Sequence, residues 1–159
     1  MKKYRIRVLT ALACVLMAAS VSWAAAIAIV NTQALAFGKF VAGSGGSVTV
    51  SPGGVRSASG GVVLVPSGPG AAAQFSVTGD PSVIYSITLP ANGVVSLTSG
   101  GNSMALNNFT STPSASTPST GLLSAGGSQT LSVGATLSVG SNQASGSYSG
   151  TFDVTVNYN

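Results

Sequence analysis

Residues 146–159, with the sequence GSYSGTFDVTVNYN, contain the clearest structural signal in the chain. Large apolar and aromatic side chains occupy alternate positions near the end of this segment, at Phe152, Val154, Val156 and Tyr158. Because successive side chains of a β-strand point to opposite faces, this spacing predicts a strand with all four on one face. The opposite face then carries the polar residues Asp153, Thr155 and Asn157. Alternation alone favours an ordinary last strand of a β-sandwich.

The chain between residue 35 and this segment shows no helical periodicity. Short apolar runs with a period of two are separated by glycine, proline, serine and asparagine, which is typical of an all-β sandwich or barrel. The alternation is clearest at Val48 and Val50, at Phe75 and Val77, and in the series Val83, Tyr85, Ile87 and Leu89. We therefore expect an all-β, antiparallel β-sandwich.

Three segments predict particular connections between strands. Residues 62–65 form a continuous apolar run, which predicts a strand that is central or buried on both faces. The pair Asn92-Gly93 predicts a type I′ hairpin, because both residues tolerate positive φ. A second turn at residues 100–102 would extend this hairpin to a three-stranded meander.

An internal duplication and a low-complexity stretch complete the pattern. The sequence TLSVG at residues 130–134 recurs at 136–140, and the even offset of six keeps the apolar residues on one face. This favours one long strand with a soft point at Gly134 over a hairpin. Residues 111–120 contain two prolines and no large apolar side chain, so we expect an exposed loop.

The first 24 residues have the pattern of a cleaved signal peptide. Four basic residues precede an apolar core at residues 8–21, which is too short to span a bilayer comfortably. Small residues at Ser22 and Ala24 predict cleavage after Ala24, although Ala26 is an alternative. The only cysteine, Cys14, lies inside this core without the leucine that a lipoprotein signal normally places three residues earlier.

Removal of the signal peptide changes what the composition implies. Two basic and two acidic side chains would remain, namely Lys39, Arg56, Asp80 and Asp153. The precursor's basic balance is therefore no argument for nucleic-acid or membrane binding. Because the remaining chain has no histidine, cysteine or glutamate, we expect no enzyme activity, no metal site and no cofactor.

Several segments in order resemble a bacterial exported family, the domain-of-unknown-function 4402 family. The resemblance lies in residues 35–40, 45–50, 73–79, 85–90, 133–137 and 146–159. That family is in turn similar to spore-coat-U-like and chaperone–usher fimbrial subunits, which have immunoglobulin-like (pilin-like) sandwiches. The resemblance implies export through the bacterial inner membrane to the periplasm, and then to the cell surface or the extracellular space.

The resemblance also implies partners and sites. In such pilins a periplasmic chaperone pairs with the C-terminal strand, and a donor segment of the next subunit completes the fold. Here the strand-pairing residues would be Gly146, Phe152, Val154, Val156, Tyr158 and Asn159. The candidate donor strand would be residues 25–34, with Ile27, Ile29 and Leu35 in one phase. Asn31 and Gln33 interrupt that phase.

Two functional interpretations therefore stay open. In the first, residues 25–34 are an N-terminal extension and residues 35–159 a sandwich domain, and the protein is a fimbrial subunit that assembles with identical or related subunits. In the second, residues 25–34 are simply the first strand of a self-contained secreted or cell-surface module, such as a coat, biofilm or adhesion component.

Overall fold

The chain folds into antiparallel β-sheets, as the computed structural model of residues 24–116 and 121–159 shows. The predicted signal peptide lies outside the described residues apart from Ala24, and so do residues 117–120. No helix of the described part is long and apolar enough to cross a membrane. The strands are β1 (Ala28–Gln33), β2 (Phe40–Val41), β3 (Gly46–Val50), β4 (Arg56–Gly60), β5 (Val63–Leu64), β6 (Ala73–Thr78), β7 (Ile84–Thr88), β8 (Val95–Ser99), β9 (Asn102–Thr112), β10 (Gly121–Leu122), β11 (Ser128–Val139) and β12 (Thr155–Tyr158).

The strands form one large sheet and two smaller ones. The large sheet has the order β1-β6-β11-β3-β4, and β9 also pairs with β11 and carries β8 on its other side. The second sheet has the order β10-β7-β12, and β2 pairs with β5 in the third. All pairs of named strands are antiparallel. The all-β prediction is therefore confirmed.

Strand β11 is the central strand of the large sheet, where it pairs with three other strands. It pairs with β6 through residues 128–133 and with β3 through residues 135–139, while β9 covers residues 132–137 on the opposite edge. The register with β9 shifts between Gly134 and Thr136, and a Cβ at Gly134 would lie 2.2 Å from the Val50 carbonyl oxygen. The prediction of one long strand with a soft point at Gly134 is thus confirmed.

The core consists of two clusters of buried apolar side chains. The first is centred on Val48, Val50, Leu106 and Leu137, and the second on Val77, Tyr85, Leu131 and Val133. In the second cluster the Tyr85 hydroxyl donates to Gln129 Oε1 at 2.7 Å. Burial raises the pKa of Tyr85 above its usual value. The predicted inward faces of β3, β6, β7 and β11 are therefore the faces that pack.

The Asn92-Gly93 hairpin prediction is wrong. Strand β7 lies in the β10-β7-β12 sheet, whereas β8 pairs with β9 in the large sheet, so residues 92–93 cross between sheets. Asn92 Oδ1 accepts a hydrogen bond from the Asn108 N–H at 2.7 Å, and Gly93 N–H donates to the Leu106 carbonyl. The next turn is a true hairpin, with Ser99 paired to Asn102 across Gly100 and Gly101. The predicted three-stranded meander is therefore only two-stranded.

Two other segments differ from their predictions. The apolar run at residues 62–65 forms a two-residue strand that pairs only with β2, and Val63 is 63% exposed. Only Val62 of this run is buried, in the first core cluster, so the run is neither central nor buried on both faces. Strand β9 continues through Thr112, so the predicted loop begins only at residue 113.

The Arg56 guanidinium joins the two loops beside β2 and β5. Its Nη1 donates to the carbonyls of Phe37, Lys39 and Gly68, and its Nη2 donates to the carbonyl of Val65 at 3.0 Å. One cation thereby bonds to four backbone carbonyls, of which those of Lys39 and Gly68 also accept the N–H groups of Val65 and Lys39. Arg56 is therefore a structural residue.

Candidate functional site at the terminal strands

The C-terminal strand has the alternation that its sequence predicts. Val156 is buried, and Phe152, Val154 and Tyr158 are half-buried against the second core cluster. The intervening residues Asp153, Thr155 and Asn157 are exposed. The regular strand itself is short, because β12 begins only at Thr155 and pairs with β7 from Thr88 to Tyr85.

Phe152 attaches the segment before β12 to the large sheet. Its ring makes an edge contact with Phe75 of β6, with centroids 6.2 Å apart and an interplanar angle of 79°. It also contacts the Phe109 ring of β9, at 5.2 Å and 45°. Edge-to-face and tilted ring pairs of this kind add to the free energy gained from burial. The Phe152 ring therefore holds the extended segment that precedes β12 in the sequence against the large sheet.

Strand β12 presents an outer edge. The Asn159 N–H donates to the Ile84 carbonyl at 3.4 Å, which marks this pair as hydrogen-bonded in the antiparallel register. Bonded and non-bonded pairs alternate, so Asn157 also bonds to β7, whereas the backbone groups of Val156 and Tyr158 point away from it. Because β12 ends its sheet within the described residues, these groups form a row that another strand could pair with.

The N-terminal segment lies in the chain's own sheet. Strand β1 pairs with β6, with Ile29 opposite Val77, and Ile27, Ile29 and Leu35 pack against the second core cluster. The polar residues that interrupt this phase bond to backbone carbonyls. Asn31 Nδ2 donates to the Gln33 and Gln74 carbonyls, and Gln33 Nε2 donates to that of Ala72.

The two terminal segments meet at Tyr158. Its hydroxyl donates to the Ala25 carbonyl at 2.8 Å and accepts from the Asp80 N–H at 2.6 Å. A Cβ at Gly79 would lie 2.2 Å from the same hydroxyl oxygen, so a glycine is required beside it. In addition, the Ala25 N–H donates to Asp80 Oδ1 at 2.7 Å. We call this group of Ala25, Asp80 and Tyr158 the terminal clasp.

Comparison with known proteins assigns the chain to a family. A family model described as a domain of unknown function, DUF4402, matches residues 27–158, a span that includes both terminal strands. The chain belongs to the DUF4402 family. No curated protein and no solved structure matches it.

The DUF4402 domain does not bring Gly146 to its last strand. Gly146 lies nine residues before β12, where a Cβ would come within 2.5 Å of Ser99 Oγ. It contributes to the rim of an apolar concavity of about 780 Å³ over Leu97, Met104 and Leu137. Asn159 directly follows β12 and is an exposed residue.

Residues of the domain that the sequence did not single out complete the site. The Phe109 ring contacts the Phe152 ring. Asp80 and Gly79 lie at the corner that the Tyr158 hydroxyl contacts. None lies in a motif with Tyr158, because they are 49 to 79 residues away along the chain. Only the paired sheets bring them together, so sequence spacing carries no signal for them.

Proposed function

We propose that this DUF4402 protein is a non-catalytic, exported structural subunit, fimbrial or pilus-like, that assembles by β-strand addition. The observation that carries the proposal is the outer edge of β12, where the backbone groups of Val156 and Tyr158 point away from β7. An extended segment that pairs with a sheet edge gains its affinity from main-chain hydrogen bonds and its specificity from alternate side chains. The protein would be exported to the periplasm and then reach the cell surface or the extracellular space.

The donor would be residues 25–34 of a neighbouring subunit. On the face opposite to Ile27 and Ile29, this segment exposes the apolar residues Ala28 and Val30, and Val30 is 61% exposed. In each subunit the segment is already paired with β6, so donation requires that it leave β6 and add beside β12 of the next copy. Strand exchange of this kind needs no new covalent chemistry.

The charge distribution supports association. After signal cleavage the side chains carry two positive and two negative charges, and Arg56 is committed to four carbonyls. A low net charge with few surface charges favours association over colloidal solubility. An edge strand whose exposed side chains are Thr155 and Asn157 has no lysine that would discourage pairing.

A periplasmic chaperone would use the same edge before assembly. The domain core would cover one side of the alternating residues Phe152, Val154, Val156 and Tyr158. The chaperone strand would pair along the outer edge of β12. Asn159 would lie beside basic residues of the chaperone, as the resemblance to fimbrial subunits implies. Tyr158→Ser should therefore lower the periplasmic yield, because it removes both the ring and the hydroxyl of the terminal clasp. Unchanged yield and unchanged assembly of this variant would count against the chaperone step.

A second candidate function is a self-contained surface module that does not polymerise. The observation in its favour is that β1 already completes the chain's own sheet, with Ile29 opposite Val77. In this case the protein would be a coat, biofilm or adhesion component whose sandwich needs no strand from another copy.

Light scattering of residues 25–159 at increasing concentration separates the two candidates. Strand addition predicts oligomers that Asn157→Lys abolishes, because a charge would stand on the exposed face of β12 beside the pairing edge. Ser57→Lys is the matched control, since Ser57 is an exposed small polar residue on β4, which is an edge strand of the large sheet and not of the β10-β7-β12 sheet. A monomer at every concentration would favour the self-contained module, and equal effects of both lysines would refute pairing at β12.

A further inference from the structure

The terminal clasp places a carboxylate at the backbone nitrogen of one particular residue. Asp80 Oδ1 lies 2.7 Å from the Ala25 nitrogen, and Asp80 is half-buried while Ala25 is exposed. The carbonyl of the same Ala25 accepts the Tyr158 hydroxyl, whose oxygen in turn accepts the Asp80 N–H. Both backbone polar groups of Ala25 are therefore bound by side chains from distant parts of the chain.

Ala25 is also the residue that follows the predicted cleavage position at Ala24. Hydrolysis of the Ala24–Ala25 peptide bond breaks the C–N bond, and water supplies the hydroxyl to the Ala24 carboxyl group and a hydrogen to the Ala25 nitrogen. The new α-amine has an ordinary pKa of about 7.7–8.0, so it is mainly protonated at neutral pH. An amide N–H facing Asp80 would thereby become an ammonium facing Asp80.

We propose that Asp80 forms a binding site for the α-ammonium group that signal cleavage after Ala24 creates. The ligand is the chain's own new N-terminus, bound by the Asp80 carboxylate and oriented by the Tyr158 hydroxyl on the adjacent carbonyl. The inference does not rest on strand addition, since it concerns a single copy. It does require cleavage after Ala24.

The alternative cleavage position after Ala26 does not fit this geometry. It would remove Ala25 altogether, and with it the acceptor of the Tyr158 hydroxyl and the donor to Asp80. The new amine would then belong to Ile27, whose side chain packs against the second core cluster. The geometry therefore favours the predicted cleavage after Ala24 over the alternative after Ala26.

The site would tie the start of β1 to the end of β12 more strongly in the processed chain than in the precursor, where Ala25 offers only a neutral amide. The titratable groups on the segments that contact Ala25 are the Asp80 carboxyl, the Tyr158 hydroxyl and the C-terminal carboxylate that follows Tyr158 by one residue. An ammonium beside the Asp80 carboxylate gains a charge-assisted hydrogen bond, which is stronger than that of a neutral amide.

The first test is the mass of the chain exported from cells that carry the full precursor, which should correspond to residues 25–159. The second is an NMR titration of the Ala25 α-amine in the wild type, in Asp80→Asn and in Asp153→Asn. We expect a higher α-amine pKa in the wild type than in Asp80→Asn. Asp153→Asn is the matched control, because Asp153 is the only other acidic side chain and lies on the exposed face near β12, and it should leave the α-amine pKa unchanged.

A further variant keeps the test decisive if Asp80→Asn folds poorly. One extra glycine before Ala25 moves the ammonium by about 3.8 Å along the chain and leaves Asp80 in place. It should raise the equilibrium constant for unfolding by about 1.4- to fivefold, the range that a single exposed ion pair contributes. Cleavage after Ala26, an equal α-amine pKa in the wild type and Asp80→Asn, or full stability of the extended chain would each overturn the proposal.

Discussion

Replacement of Arg56 by methionine should destabilise the sandwich far more than a surface substitution normally does. Methionine keeps most of the apolar stem but removes the donors to four carbonyls, those of Phe37, Lys39, Val65 and Gly68. A hydrogen bond to a charged group contributes about 1.5–3 kcal/mol net, and a neutral one about 1 kcal/mol. Since Nη1 shares two hydrogens among three acceptors and water can reach part of the site, we expect a loss of about 3 kcal/mol in the free energy of unfolding.

Urea and thermal denaturation followed by circular dichroism measure this loss. For a domain of about 135 residues, a loss of this size corresponds to a fall in Tm of roughly 10 °C. Arg56→Lys should recover only part of the stability, because an ammonium lacks the planar fork of the guanidinium. Lys39→Met is the control that removes an equal charge from the same region. A change within 0.5 kcal/mol of the wild type for Arg56→Met, or equal losses for Arg56→Met and Lys39→Met, would refute the reasoning.

Three further substitutions test the packing. Burial raises the pKa of Tyr85 in the folded protein above the unfolded value of about 10. The resulting contribution to stability is fully present below pH 10 and is lost as the pH rises through the higher folded pKa. Tyr85→Phe should therefore flatten the fall of Tm above pH 10. Gly134→Ala should cost about 1–3 kcal/mol in urea denaturation, since its Cβ would lie 2.2 Å from the Val50 carbonyl oxygen, whereas Gly101→Ala, in open space, should change little. Phe152→Ala should lower the thermal stability by about 2 kcal/mol, because a half-buried ring and two ring contacts are lost; an unchanged Tm would show that the segment before β12 is not held by this ring.

Strands whose signal is local could be predicted from the sequence. In β11 the even offset of the duplication keeps Leu131, Val133 and Leu137 in phase, and all three are buried. In the last segment, Phe152 to Tyr158 alternate as predicted even where the backbone is not regular strand. These predictions succeed because successive side chains of an extended chain point to opposite faces, so a residue's face depends only on whether its position is odd or even.

Features that depend on which strands pair could not be predicted. Asn92-Gly93 has the residues of a tight hairpin, yet β7 pairs with β12 and β8 with β9, so long-range pairing overrides the local turn preference. The apolar run at residues 62–65 is peripheral for the same kind of reason, because its neighbours in the sheet are set by distant segments.

The polar contacts of the site were equally inaccessible. Asp80 and Tyr158 are 78 residues apart, and their contact exists only because β12 lies beside the corner between β6 and β7. Arg56 offered no signal either, because its four partners are main-chain carbonyls, which every residue has. Composition names these residues but could not place either group in the fold.

Hydrogen exchange at β12 is the measurement that tests the central claim most directly. The amides of Val156 and Tyr158 point away from β7, whereas the amide of Asn157 bonds to it and serves as the internal control. Strand addition predicts that Val156 and Tyr158 exchange quickly in the isolated subunit and become protected on assembly, while Asn157 is protected in both states. Assembly that leaves the Val156 and Tyr158 amides as exposed as before would contradict the account.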